Sequence, residues 1–90
     1  MKIKYTKHAK HKLKILSHLG VTDEKVRKTL EKPDEILYDA LRDRLVAVNY
    51  SLKIAVLFER ERENIVIVTV LYSSDLKNIV ERRKRSGRWM

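Results

Sequence analysis

"KIAVLFERERENIVIVTVLY", residues 53–72, holds two apolar runs around a charged centre. Ile54–Phe58 and Ile65–Leu71 are apolar at nearly every position, whereas a strand with one wet face would alternate. Two such strands, joined through "RERE" (60–63), predict a hairpin with its turn at the surface. Both faces of that hairpin must be covered. One helical layer is therefore not enough, and a second must come from elsewhere in the chain or from a second copy of it in a homodimer.

The flanking segments extend this sheet. "DEILYD" (34–39) reads as a short strand. "RLVAVNY" (44–50) alternates Val46, Val48 and Tyr50 against Leu45, Ala47 and Asn49. At the other end, "KIKY" (2–5) is a first short strand. Thr6 is placed to cap a helix running to about Leu19, which Gly20 ends in the left-handed conformation. Thr22 caps a second helix, with Asp23 and Glu24 in its first turn, and Pro33 stops it. Ser74 is placed to cap a last helix that reaches about Arg85. The order is β-α-α-β-β-β-β-α, in a single α+β domain spanning residues 1–90. It predicts a small antiparallel meander with an N-terminal helical pair on one face and a short C-terminal helix.

Composition narrows the function classes. Ninety residues support one modest core, burying about 60% of the unfolded surface. The absence of cysteine excludes disulfides and thiolate zinc sites. "IVIVTVLY" falls well short of the ~20 residues of a membrane span. "MKIKYTKHAKHK" is basic with no apolar stretch behind it, unlike a secretory signal, so no membrane association and a cytoplasmic location are expected. Abundant Lys, Arg, Glu, Ile and Val, without glutamine, lean toward a thermophilic source.

The net charge is +9. Residues 1–22 carry +6, residues 23–75 carry −2 and residues 76–90 carry +5. If the fold joins the two ends, they form a basic face suited to a polyanion, of which nucleic acid is the commonest in a cell. On the first helix, Ala9, Leu13, Leu16 and Leu19 share one side. Lys7, Lys10, His11, Lys14 and His18 share the other, with no acid interleaved to form i,i+4 pairs. On the last helix, Leu76, Ile79 and Val80 define the inner side, and Arg83 falls in the middle of it. Arg82 and Arg85 point outward. Arg83 therefore snorkels, pairs with a carboxylate such as Glu35 or Glu59, or presents its guanidinium to a phosphate. Lys53 and Arg88 are further phosphate ligands by type. Trp89 either stacks on a base or folds back onto the helix.

No glycine-rich phosphate loop, serine elbow or cofactor motif is present. His8-x-x-His11 lacks an evident third ligand, so no metal is expected. The remaining chemistry is metal-independent RNA cleavage, in which cations stabilise a pentavalent phosphate and one group moves a proton. His8, Tyr72 and Arg83 are the catalytic candidates. A non-catalytic nucleic-acid-binding module and a protein-interaction domain gripping an acidic partner fit the same composition.

Several short motifs, in order, resemble the RelE/ParE toxin superfamily, nearest its BrnT-like branch and allied small domains of unknown function. They are "YTKHAKHKL" with Thr6, His8 and Ala9, "GVTDEKVRKTLEKPDEI" with Gly20, Val21, Thr22, Glu24, Val26 and Pro33, the "AVLFERERENIVIVTVLYSS" hairpin, and "IVERRKRSGRW" with Glu81, Arg82 and Arg83. The resemblance implies an antiparallel sheet with a helical pair on one face. It also implies RNA or the ribosome as target and a protein antitoxin as partner. The chain departs from it at Tyr72-Ser73-Ser74, where BrnT-like toxins tend to carry an arginine. That departure leaves RNA or protein binding standing beside nuclease activity.

Overall fold

The computed structural model describes residues 2–90. The hairpin of strands β4 (Ile54–Glu61) and β5 (Asn64–Tyr72) forms as expected, with Glu61 opposite Asn64 across the Arg62–Glu63 turn. Strands β2 (Glu35–Asp39) and β3 (Arg44–Asn49) extend it antiparallel. Strand β1 (Ile3–Tyr5) occupies the far edge, giving the order β1-β5-β4-β3-β2. It pairs with β5 in parallel, while the β2–β5 meander is antiparallel as expected. The helical pair carries the chain from the β1 edge to the β2 edge, and the meander then returns so that β5 runs alongside β1.

Both faces of the sheet are covered within one chain. Helices α1 (Lys7–Leu16) and α2 (Asp23–Glu31) pack Ala9, Leu16 and Val26 against Ile54, Val56, Phe58 and Ile67. Helix α3 (Leu76–Arg85) packs Leu76 and Val80, together with Trp89, against Val46, Val48, Ala55 and Leu57. The period of two in β3 sorts as predicted, Ala47 to the first layer and Val46 and Val48 to the second. No second copy is needed to cover either face.

One irregularity decides what reaches each layer. Leu57 pairs with Thr69 and Phe58 with Ile67, so Val68 is an extra residue in β5. Beyond it the alternation reverses. Val70 and Tyr72 join the α1–α2 layer, and Leu71 packs in the α3 layer. The Thr6 hydroxyl donates to the Val68 carbonyl at 3.2 Å and accepts from the Ala9 N–H at 3.1 Å. One side chain thus caps α1 and ties it to the bulge.

Helix ends differ from expectation in two places. The first helix stops at Leu16 and continues as a 3₁₀ turn, Ser17–Leu19, which leaves Leu19 exposed rather than on the inner face. The Val21 N–H donates to the Leu16 carbonyl, closing the helix before Gly20 takes its φ of 85°. The N-cap position of α3 is Asp75, not Ser74, and its carboxylate takes the Asn78 side-chain amide instead of a backbone N–H. Ser73 Oγ accepts the Asp75 N–H at 3.0 Å.

The other end of α3 closes in a Schellman arrangement. Gly87 has φ 78° and donates to the Lys84 carbonyl, while the Arg88 N–H donates to the Arg83 carbonyl. The chain then turns alongside β2, where the Ala40 N–H donates to the Arg88 carbonyl and the Met90 N–H to the Tyr38 carbonyl. This isolated bridge aims Trp89 under α3 and leaves it 1% exposed. No helix among the described residues is long and apolar enough to cross a membrane.

Candidate anion-binding cleft

Beside α3, on its face of the sheet, lies a cleft of about 200 Å³. Leu57, Thr69, Val70 and Leu71 line it from the sheet, and five cations surround it: Lys12, Arg42, Arg44, Arg83 and Arg88. They come from α1, the β2–β3 loop, β3, α3 and the segment after α3. The only acid among the lining residues is Asp39, which is fully buried.

Asp39 organises the cleft. Its Oδ1 accepts the backbone N–H groups of Leu41 at 3.0 Å and Arg42 at 3.1 Å, which shapes the loop carrying Arg42. Its Oδ2 accepts the Trp89 indole N–H at 3.3 Å and stands 4.0 Å from Arg88 Nε. Trp89 in turn carries Arg83, whose guanidinium lies 4.6 Å from the ring centroid. A buried carboxylate and a buried indole thus hold two arginines at the cleft. Burial first, and the neighbouring Arg88 charge next, depress the Arg83 pKa from the usual arginine value, with Asp39 partly opposing them.

Two donors in this wall are unmet. Arg44 Nε and Arg88 Nε are buried and have no hydrogen-bond partner. Arg44 Nε lies 3.6 Å from the half-exposed Glu59 carboxylate without bonding it. Arg88 Nε likewise faces the Asp39 carboxylate from 4.0 Å, so each guanidinium is held by a carboxylate through its Nε without a hydrogen bond there. The larger recess nearby, of about 410 Å³, is lined by Asp43 and Glu59 as well as Arg44 and Arg60 and lacks this excess of positive charge.

His8 stands at the margin of the cleft. Its Nε2 lies 3.3 Å from the hydroxyl of Thr69, a lining residue, and Lys12 follows one helical turn later. His8 and Lys12 occupy the flank of α1 between its buried and exposed sides. Lys7, Lys10, His11, Lys14 and His18 are all exposed on the outer side, so the lysine stripe begins where the cleft ends.

No family model, curated protein or solved structure matches this chain. The site therefore stands on its own geometry.

That geometry separates the residues singled out from sequence. Arg83 and Arg88 meet in the cleft, and His8 borders it. Tyr72 does not join them. The reversal at Val68 turns it to the opposite face, into a recess shared with Lys25, Lys53 and Leu52. Lys53, at φ 61°, lies in that recess too. Arg82 and Arg85 are exposed, with Arg82 4.0 Å from Asp75. Of the two alternatives for Trp89, the ring folds back: buried between Asp39 and Arg83, it offers no face to a base. Arg83 meets neither predicted carboxylate, for Lys84 pairs with Glu35 and Arg44 approaches Glu59. Sequence reasoning missed Lys12, Arg42, Arg44 and Asp39. Arg44 had a readable signal, since it shares the strand parity of Val46 and Val48. Among the described residues no group of three or more acidic or histidine side chains is arranged to hold a metal.

Proposed function

We propose that this protein binds RNA, seating a phosphate group of the strand in the cleft beside α3, where Lys12 of α1 reaches it. The observation that carries the reading is the convergence of five cations from five separate segments around one saturated carboxylate. Such an unbalanced cluster accepts mutual repulsion, which an anionic ligand relieves. The exposed lysines of α1 continue the positive surface, and no acid in that helix offsets them. A flexible single strand can bend a phosphate into a concave site and run on along the helix. The test is binding of a labelled single-stranded oligoribonucleotide over a salt series. Four or five contacts give a slope of log K against log salt near −3 to −3.5, and a flat response removes the reading.

The contact between His8 and Thr69 favours a second, catalytic form of this reading. The 2′-oxygen of a bound ribose would bond to the adjacent phosphorus as the bond to the 5′-oxygen breaks. His8 would take the 2′-hydroxyl proton, and solvent would supply one to the leaving oxygen. The cleft cations would stabilise the pentavalent phosphate. Incubation with RNA in EDTA, comparing the parent with His8→Ala, decides this: cleavage lost in the variant with binding intact supports it. RNA left whole by the parent protein leaves the binding reading alone.

A further inference from the structure

The cleft's size, charge and donors are more particular than backbone binding requires. Its volume of about 200 Å³ lies below the ~300–1,000 Å³ of pockets that enclose an organic ligand. A phosphate group fits within it. No aromatic ring lines it, because Trp89 is sealed beneath Arg83, so a base would find no stacking surface there. Within that space five cations oppose the one buried carboxylate, whose oxygens are already engaged.

An internal phosphodiester carries one negative charge and offers two free oxygens. A terminal phosphate monoester carries up to two charges and offers three. Arg42, Arg44, Arg83 and Arg88 bring four guanidinium groups to this space and Lys12 an ammonium, and the Nε–H groups of Arg44 and Arg88, set against Glu59 and Asp39, make no hydrogen bond within the protein. Guanidinium forks suit such multidentate recognition. The apolar side chains of Leu57 and Leu71 beneath the cations lower the local dielectric and strengthen each charge interaction.

Resting on the RNA-binding reading above, we infer that this cleft receives the terminal phosphate monoester of an RNA strand rather than an internal phosphodiester. The strand then leaves past His8 and Lys12 along the exposed lysines of α1. The protein on this account recognises a phosphorylated RNA end, with little demand on base identity.

The experiment compares one labelled oligoribonucleotide in three forms: hydroxyl at both ends, 5′-phosphate, and 3′-phosphate. One phosphorylated form should bind about tenfold or more tighter than the hydroxyl form, and its identity assigns the strand's direction. Inorganic phosphate should compete with that form selectively. The gain should shrink from pH 7.5 to pH 5.5, because the monoester's second ionisation lies near pH ~6. Lys12, Arg42, Arg44, Asp39, Arg83, Arg88 and the bordering His8 face the bound group. Measuring the hydroxyl form at each pH subtracts protonation of histidines from the comparison. Arg88→Leu should abolish the gain. Arg42→Ala, on an exposed loop residue, should reduce it in a protein whose unfolding midpoint in urea is unchanged. Equal affinities for all three forms would overturn the inference while leaving RNA binding intact. Failure of every form to bind would overturn both.

Discussion

The guanidinium of Arg83 stacks 4.6 Å from the centroid of Trp89, whose indole N–H donates to Asp39. The cleft is therefore built directly on the second core layer, and damage to that layer should reach the site. Trp89→Ala removes one of the largest fully buried side chains. It should cost about 3–5 kcal/mol, read from urea unfolding. Trp89→Phe keeps a ring beneath Arg83 but loses the donor to Asp39, so its cost should fall to about 1–2 kcal/mol. Equal losses in the two variants would mean that the ring beneath Arg83 contributes nothing and that the indole N–H accounts for the whole cost.

Asp39 should be as sensitive as the core although it is charged. Its carboxylate satisfies two backbone N–H groups and the indole, and it lies beside Arg88. Asp39→Ala strands those donors and leaves the cations unopposed, with an expected loss of about 3–5 kcal/mol. Asp39→Asn retains one acceptor oxygen and should cost less. Added phosphate should restore part of the stability lost in Asp39→Asn, by binding the folded state alone. A midpoint indifferent to phosphate would argue against an anion site at this position.

The sheet's two-layered plan was legible because it depends on local pattern. β4 and β5 are apolar on both faces, β3 alternates, and each expectation rests on neighbours in sequence. The cleft was not legible for two physical reasons. First, Val68 enters β5 as an extra residue. Strict alternation from Ile65 and Ile67 would have put Tyr72 on the α3 face, near Arg83; the bulge sends it to the other side and brings Thr69 and Leu71 across instead. Second, the orientation of Trp89 depends on Asp39, 50 residues away. No helical wheel contains that partner. The wheel did place Arg83 inward, but what it meets there is an aromatic face rather than a carboxylate.

The pH dependence of stability should carry the mark of Glu35. Its carboxyl accepts from Lys84 and from the Tyr50 hydroxyl, and these bonds, in that order, hold its pKa below the ordinary value of 4.5 against the opposing effect of burial. A depressed folded-state pKa adds stability that is complete above the unfolded value and is lost as pH falls through the folded one. Tyr50 acts in the opposite range: burial and then Glu35 raise its pKa, so its contribution is lost only in strong alkali. Glu35→Gln should therefore cost about 1 kcal/mol at pH 7, and the difference from the parent should disappear as pH falls through the lowered pKa of Glu35. Urea unfolding at a series of pH values measures it. A constant difference across that range would exclude the ionised carboxylate as its source.

The lysine of the cleft and the lysines of the stripe should differ in RNA binding, although substituting each removes one charge. Lys12 is partly buried and lines the cleft, whereas Lys10 and Lys14 are exposed on the outer side of α1. An exposed contact sits in high dielectric and is screened by salt; one beside an apolar floor is screened less. Lys10→Ala and Lys14→Ala should each weaken binding by about twofold to threefold at moderate salt, and lower the steepness of the salt dependence by about 0.7. Lys12→Ala should weaken it by about tenfold, with most of that loss persisting as salt is raised. The comparison is internal, because all three substitutions place alanine, the best helix former, in the same helix. If Lys12→Ala proves no worse than its neighbours at every salt concentration, the bound phosphate lies on the outer stripe, and the cleft beside α3 is not where the strand is held.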